Sequence, residues 1–192
     1  DVTSRADWAA LAASLGGRCD ALVSNAGTTW RARLLDLDPT DLHRVVDVNV
    51  VGTLLGIQVL VPLMPPGSSI VTVGSVAALT GHYPVAYTAS KWALRGLSKA
   101  AATELGRLGI RVNQIHPGYV ETPMTASAAP AFRAANIAET PLGRTGTVDE
   151  IAPLVLHLVS DESTFTTGAE IAVDGGMTAH GGVLSISDAV RA

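Results

Sequence analysis

Apolar and polar positions in this chain recur at two different periods. Trp8, Leu11, Ala12 and Leu15 follow helical spacing behind Ser4 and Asp7, a pair set as in a capping box, and Gly16-Gly17 stop the run. Asp20-Ala21-Leu22-Val23 is a short apolar strand that runs into Ser24-Asn25-Ala26-Gly27. Asp38 caps and Pro39 begins a long helix, apolar on more than one face from Leu42 through Val45, Val50 and Leu54 to Leu60. Such a helix is expected to be buried, in the core or against another subunit. Asp47 and Asn49 sit inside it, and a polar group buried there must find partners.

Pro65-Pro66-Gly67 turns the chain into a second strand, Ile70 to Val73, which ends at Gly74-Ser75. A loop with His82, Tyr83 and Pro84 leads to a helix bearing Tyr87 and Lys91, continued by Leu94, Leu97, Ala101 and Leu105 to Gly106. Ile110 to Ile115 is a third strand, closed by His116-Pro117-Gly118. Residues 119–146 lack strong periodicity and read as a lid or substrate-binding loop. Thr147 and Glu150 form a capping box for a helix with Ile151, Leu154, Val155 and Leu158 on its apolar side. Ala169 to Val173 is the last strand, before Asp174-Gly175-Gly176 and a tail from Met177 to Ala192. Strands alternating with helices predict a single α/β domain, a doubly wound parallel sheet with helices on both faces. In such sheets ligands sit beyond the carboxyl ends of the strands. Asn25, Ser75, Pro117 and Gly118 fall at those ends, and Tyr87 begins a helix just above them.

Composition narrows the classes. Of 192 residues, 47% are hydrophobic and 16% charged, which suits a well-buried fold rather than disorder. A net charge of −4 carries no electrostatic footprint for nucleic acid. Cys19 is the single cysteine, so neither a disulfide framework nor a cysteine metal cluster is expected, no metal is expected, and a cytoplasmic location is the default. The most apolar run, Val50 to Met64, is broken by Gly52, Gly56, Gln58 and Pro62 and reads as too short for a membrane span. The opening, Asp1-Val2-Thr3-Ser4-Arg5, is no signal peptide and starts in mid-pattern, which suggests a missing beginning.

The candidate chemistry centres on Tyr87 and Lys91. Positions four apart share a helix face, and a phenol beside an ammonium is a proton-transfer device. A tyrosine of pKa about 10 needs about 4 kcal/mol of help to work near neutrality, and one positive charge about 4 Å away supplies roughly that at an effective dielectric near 20. Taken alone, the spacing more often marks a solvated helix lysine and a packed aromatic. Its convergence with Asn25, Ser75 and Pro117-Gly118 on one crevice favours a site.

Ser24-Asn25-Ala26-Gly27, Asn49, Ser75, Tyr87-x-x-x-Lys91, Pro117-Gly118 and Val173-Asp174-Gly175-Gly176 together resemble the short-chain dehydrogenase/reductase family, in order and over nearly the whole chain. The Tyr87–Lys99 and His116–Thr125 stretches look most like its 3α(or 20β)-hydroxysteroid dehydrogenase group. The resemblance implies a Rossmann-like fold and an NAD(H)-dependent interconversion of a secondary alcohol and a ketone, with NADP left open. It implies Tyr87 as general acid and base, Ser75 on the substrate oxygen, Lys91 lowering the phenol's pKa and holding the nicotinamide ribose, and Asn49 anchoring a water for Lys91. For the cofactor it implies Asp1-Val2 at the adenine, Asn25, Ala26 and Gly27 on the adenosine side, the Val120 backbone with the Thr122 hydroxyl on the nicotinamide carboxamide, and Tyr87, Lys91 and Pro117-Gly118 as further cofactor-binding residues. Apolar residues of the substrate loops, among them Leu79, Met124 and Phe132, suit a small apolar alcohol or ketone, hydroxysteroid-like, and a homodimer or homotetramer is expected.

Ser24 and Gly74 depart slightly from the family pattern. The large departure is the family's glycine-rich Thr-Gly-x-x-x-Gly-x-Gly unit, which does not occur; roughly sixty residues before Asp1 would carry it, and without them the first strand is expected to show an exposed apolar edge. The alternatives are a 3-oxoacyl-carrier-protein reductase and a non-catalytic fragment that retains only a subunit interface.

Overall fold

Short runs rich in β-branched residues become strands, and longer runs at helical spacing become helices. In chain order the elements are α1 (Arg5–Ser14), β1 (Ala21–Ser24), α2 (Pro39–Val46), α3 (Gly52–Leu60), β2 (Ser69–Val73), α4 (Val85–Leu105), β3 (Arg111–Pro117), α5 (Pro123–Ala126), α6 (Pro130–Ala138), α7 (Val148–Val159), β4 (Glu170–Val173) and α8 (Leu184–Ala189). They are seen in a computed structural model that describes residues 1–190; the last two positions of the tail lie outside it. The four strands form one sheet in chain order, all parallel, with Leu22 opposite Ile70, Ile70 opposite Val112 and Ile115 opposite Ile171.

Side chains alternate across the sheet and build a core on each face. Leu22, Ile70 and Val112 meet Ile57 and Leu60 of α3 and Ala101 and Leu105 of α4. Val71 and Ile115 meet Leu158 of α7, with Ile151, Leu154 and Val155 beside it. Each fully buried isoleucine contributes about 2–3 kcal/mol. The expected layering, helices on both faces of a parallel sheet, is what forms. α7 packs on β2 and β3, while β1 has a neighbour on one side only and leaves Val23 42% exposed. That is the expected apolar edge.

Elsewhere the structure departs from the pattern. At α1, Ser4 accepts from the Asp7 amide at 3.1 Å, but the Asp7 carboxylate turns to the N-terminal ammonium, so only half the capping box forms. Leu11 and Leu15 are exposed, and Trp8 anchors the helix by lying on Gly56 and donating to the Val2 carbonyl at 2.8 Å. The box at Thr147 and Glu150 has both arms. Residues 119–146 are not a bare loop. Thr122 caps α5, and a proline opens each of α5 and α6, where its missing N–H costs nothing. As expected, one helix follows Pro39, built from α2, a π turn (Asp47–Val51) and α3 and running Pro39–Leu63; the Val50–Met64 run, read as too short for a membrane span, is part of that longer helix. By length and composition that helix could cross a membrane; the same is true of core helices, and this one packs Val45, Ile57 and Leu60 inside. Val46, Val50 and Leu54 stay half-buried, so its second apolar face is only partly covered.

Candidate active site

β2 delivers the first site residue. Gly74 follows the strand, where a Cβ would lie 2.6 Å from the His116 ring and 2.9 Å from the Ile115 carbonyl of β3. Ser75 follows and caps a short 3₁₀ turn, accepting from the Ala77 amide at 3.1 Å. α4 delivers the next two. It starts after Pro84, buries Ala86, Leu94, Ala101 and Leu105, and is tied to β2 by a 2.8 Å bond between Ser98 and Thr72. Tyr87 and Lys91 therefore stand in its first two turns, beside the end of β2.

Lys91 is 4% exposed. Its Nζ donates to the Val73 carbonyl at 2.7 Å and lies 5.6 Å from the centre of the Tyr87 ring. Burial pushes the ammonium pKa down to about 8. Tyr87 moves the other way: burial raises its pKa, and Ser75, facing the phenol, pulls it partly back. The expected lowering of the phenol by Lys91 is not present in this state. The lysine has been stripped of water and spends its charge on a strand carbonyl, so the desolvation of Tyr87 wins.

Asn49, 1% exposed, sits in the π turn, a feature common at functional sites. Its Oδ1 accepts from the Thr28 amide at 2.8 Å, and its Nδ2 donates to the Thr28 carbonyl at 3.0 Å and to Ser90 Oγ at 2.8 Å. Both amide hydrogens are spent, so any water that Asn49 holds for Lys91 sits on an oxygen. Ser90 in turn donates to the Tyr87 carbonyl at 2.8 Å. Asn49 thus welds the loop after β1 to the helix of Tyr87. Gly27 completes the cluster: a Cβ there would lie 3.4 Å from Asn49 Oδ1 and 3.7 Å from Lys91 Nζ.

An ammonium has three N–H donors, and the Val73 bond is the one that Lys91 makes among the described residues. Buried donors without acceptors, beside a glycine that keeps the wall open, fit a ligand that brings hydroxyl groups. The ribose end of a nicotinamide dinucleotide meets that requirement.

The other expected cofactor residues are spread. Asn25 and Ala26 are exposed at the end of β1. Asp1 is held by its own turn, accepting from the Thr3 amide at 2.8 Å, and Val2 lies against Gly52 of α3, outside the Ser75–Tyr87–Lys91 cluster. Gly118 follows Pro117 where a Cβ would lie 2.8 Å from the Asp174 backbone. The Val120 carbonyl accepts from Thr125 Oγ1 at 2.8 Å, and the Thr122 hydroxyl caps the Thr125 amide at 3.3 Å, so both are already engaged.

The sequence profile described as enoyl-(acyl carrier protein) reductase matches residues 1–178. A trans-4-hydroxycyclohexanecarboxylate dehydrogenase of Sinomonas cyclohexanicum is 43% identical over 184 residues, 93% of this chain and 69% of the relative. A 3-alpha-(or 20-beta)-hydroxysteroid dehydrogenase of Mycobacterium tuberculosis is 43% identical over 185 residues, with the same shares of each chain. The chain belongs to the short-chain dehydrogenase/reductase family. Among solved members, a gluconate 5-dehydrogenase from Burkholderia cenocepacia J2315 in complex with NADP and tartrate superposes with a TM-score of 0.87 at 32% identity, covering 93% of this chain and 73% of that one. This short-chain dehydrogenase/reductase is an oxidoreductase acting on CH–OH groups.

Over Ser75 and Tyr87 opens a cleft of about 610 Å³, mouth included, whose walls include His82, Tyr83, Tyr119 and Phe132. His82 stacks on Phe132 at 5.6 Å, and Tyr83 and Tyr119 meet the same ring at 5.7 and 5.9 Å. Burial lowers the His82 pKa, which keeps the imidazole neutral at pH 7. The sequence reading missed Thr28 and Ser90, the partners of Asn49, and Arg31 in the cleft wall. That Asn49 needed partners was visible; which ones depended on the folded path of the loop.

Proposed function

We propose that this chain interconverts a secondary alcohol on a saturated ring and the corresponding ketone, with NAD(H) as cofactor. The observation that carries the reading is the convergence of Ser75, Tyr87 and Lys91 with the Gly27 backbone at the carboxyl ends of the strands. A ring secondary alcohol is common to the hydroxycyclohexanecarboxylate and hydroxysteroid of the two relatives' names. An aromatic-walled cleft suits such a ring.

A nicotinamide cofactor supplies or accepts the hydride; the chain's residues do the rest. Lys91 would bind ribose hydroxyls with its unspent donors, and Asn25, Ala26, Gly27, Val120 and Thr122 would hold the remainder. Ser75 Oγ–H donates to the substrate oxygen and stabilises the charge that develops there. Tyr87 Oη–H gives its proton to that oxygen in ketone reduction and takes it back in alcohol oxidation. With the phenol pKa raised, Tyr87 is protonated at pH 7 and ready as an acid, while its use as a base grows toward alkaline pH. The half-buried apolar face of α2 and α3, at Val46, Val50 and Leu54, is a subunit contact in this reading.

The test is Tyr87→Phe with a ring ketone and NADH, and NADPH in a parallel arm. Turnover should fall roughly 10²–10⁴-fold, the range for lost acid–base catalysis, while cofactor binding, read by nicotinamide fluorescence, persists. Turnover retained in the variant refutes the role of Tyr87. A preference for NADPH refutes the cofactor assignment.

A further inference from the structure

The cleft over Ser75 and Tyr87 has a charged wall that the proposed reaction does not use. Arg31, in the loop after β1, lines it together with those two residues. The guanidinium donates from Nη1 to Ser127 Oγ at 3.1 Å and to the Ser127 carbonyl at 3.5 Å, and from Nη2 to the Met124 carbonyl at 3.0 Å. All three acceptors are neutral. Arg18, Arg44, Arg95, Arg133 and Arg144 each pair with a carboxylate; Arg31, like Arg5, Arg33, Arg107 and Arg111, has no such partner among the described residues, and of these Arg31 is the one in the cleft wall.

A guanidinium carries five N–H donors. Arg31 is exposed, and these bonds leave its Nε–H and one Nη2–H without an acceptor among the described residues; a guanidinium with Nε–H and an Nη–H unspent has donors for a carboxylate. Among the described residues no aspartate or glutamate lines the cleft, and a second guanidinium, Arg33, lies 5.5 Å over the ring of the cleft residue Tyr83. In a chain of net charge −4 this is a local positive field at the mouth of an apolar site. Such a field concentrates anions.

We propose that Arg31 anchors a substrate carboxylate: the cleft takes a ring alcohol or ketone that carries an anionic group away from the reacting oxygen. The proposal rests on the reading of this cleft as the substrate site. It refines the apolar substrate expected from the sequence, because the ring lies among His82, Tyr83 and Phe132 while the charge lies on Arg31.

Two compounds matched except for charge, 4-oxocyclohexanecarboxylate and its primary amide, test it in the 192-residue chain with reduced cofactor. The expected kcat/KM ratio, anion over amide, is about tenfold or more in the native chain, near one in Arg31→Gln and intermediate in Arg31→Lys. Because Arg31 also ties down α5, the variant could slow both compounds; an unchanged ratio would mean that Arg31 only straps the lid, and would overturn the proposal. Binding of unreactive cyclohexanecarboxylate and cyclohexanecarboxamide, measured by calorimetry, supplies the second readout. If no ketone is turned over, loss of carboxylate binding alone in Arg31→Gln still supports the anchor. Equal binding of both compounds by the native chain overturns it.

Discussion

Replacing Lys91 with methionine keeps the length of the stem and removes a charge from a site that solvates it poorly. The ammonium is 4% exposed and its pKa falls from 10.5 to about 8. At 1.36 kcal/mol per pH unit, that fall corresponds to about 3 kcal/mol of native-state cost at neutral pH. The variant also loses the bond to the Val73 carbonyl, at about 1 kcal/mol. The net expectation is a chain about 2 kcal/mol more stable at pH 7 and inactive. Below pH 8 the folded and unfolded lysines are both protonated and the cost is present in full. Between 8 and 10.5 the folded protein gives up a proton that the unfolded chain still holds, so native stability rises with pH there. Above 10.5 both are neutral and the cost is gone. Urea unfolding followed by tryptophan fluorescence at pH 7 and at closely spaced values up to 10 reads this directly. With an m-value of 1–3 kcal/mol/M, the midpoint gap at pH 7 should be about 1 M and should close as pH rises. A gap independent of pH, or a less stable variant at pH 7, refutes the picture of a desolvated lysine waiting for hydroxyl acceptors.

Two further outcomes follow from the packing around β3. Gly74→Ala forces a Cβ to 2.6 Å from the buried His116 ring and 2.9 Å from a main-chain carbonyl; a thermal melt should show a loss of about 1–3 kcal/mol, and an unchanged melting temperature would refute the close approach of β2 and β3. Glu170 is desolvated, but Arg95 and Lys99 overcome that and hold its pKa at about 2. Its stabilisation is present in full above pH 4.5 and lost as pH falls toward 2, by at most about 3 kcal/mol given that Lys99 is half-exposed. Glu170→Gln should therefore flatten the acid limb of stability in that window, and an acid limb as steep as the native one would count against the network.

The sequence by itself determined the elements and their layering, because periods of two and 3.6 in apolar positions decide which faces must leave water. It also determined which residues end the strands, so Asn25, Ser75 and Gly118 could be placed at one edge and the family recognised from their order. What it could not carry was contact between segments distant in the chain. Asn49 needed a partner, but only the path of the loop after β1 brought it Thr28 and Ser90. The two short helices between Tyr119 and Gly146 depend on a cap, two prolines and alanine propensity, signals too local to show as periodicity.

Tertiary structure also decided the electrostatics. A spacing of four puts Tyr87 and Lys91 on one face, and counting charges alone predicts a lowered phenol. Burial depends on everything packed around the pair, and it reversed that sign for Tyr87 and drew the lysine toward neutrality. In the same way Arg31 is one arginine among many in the sequence. Only the fold sets it in the cleft wall beside neutral acceptors, because a charge acquires its meaning from the groups that fail to neutralise it.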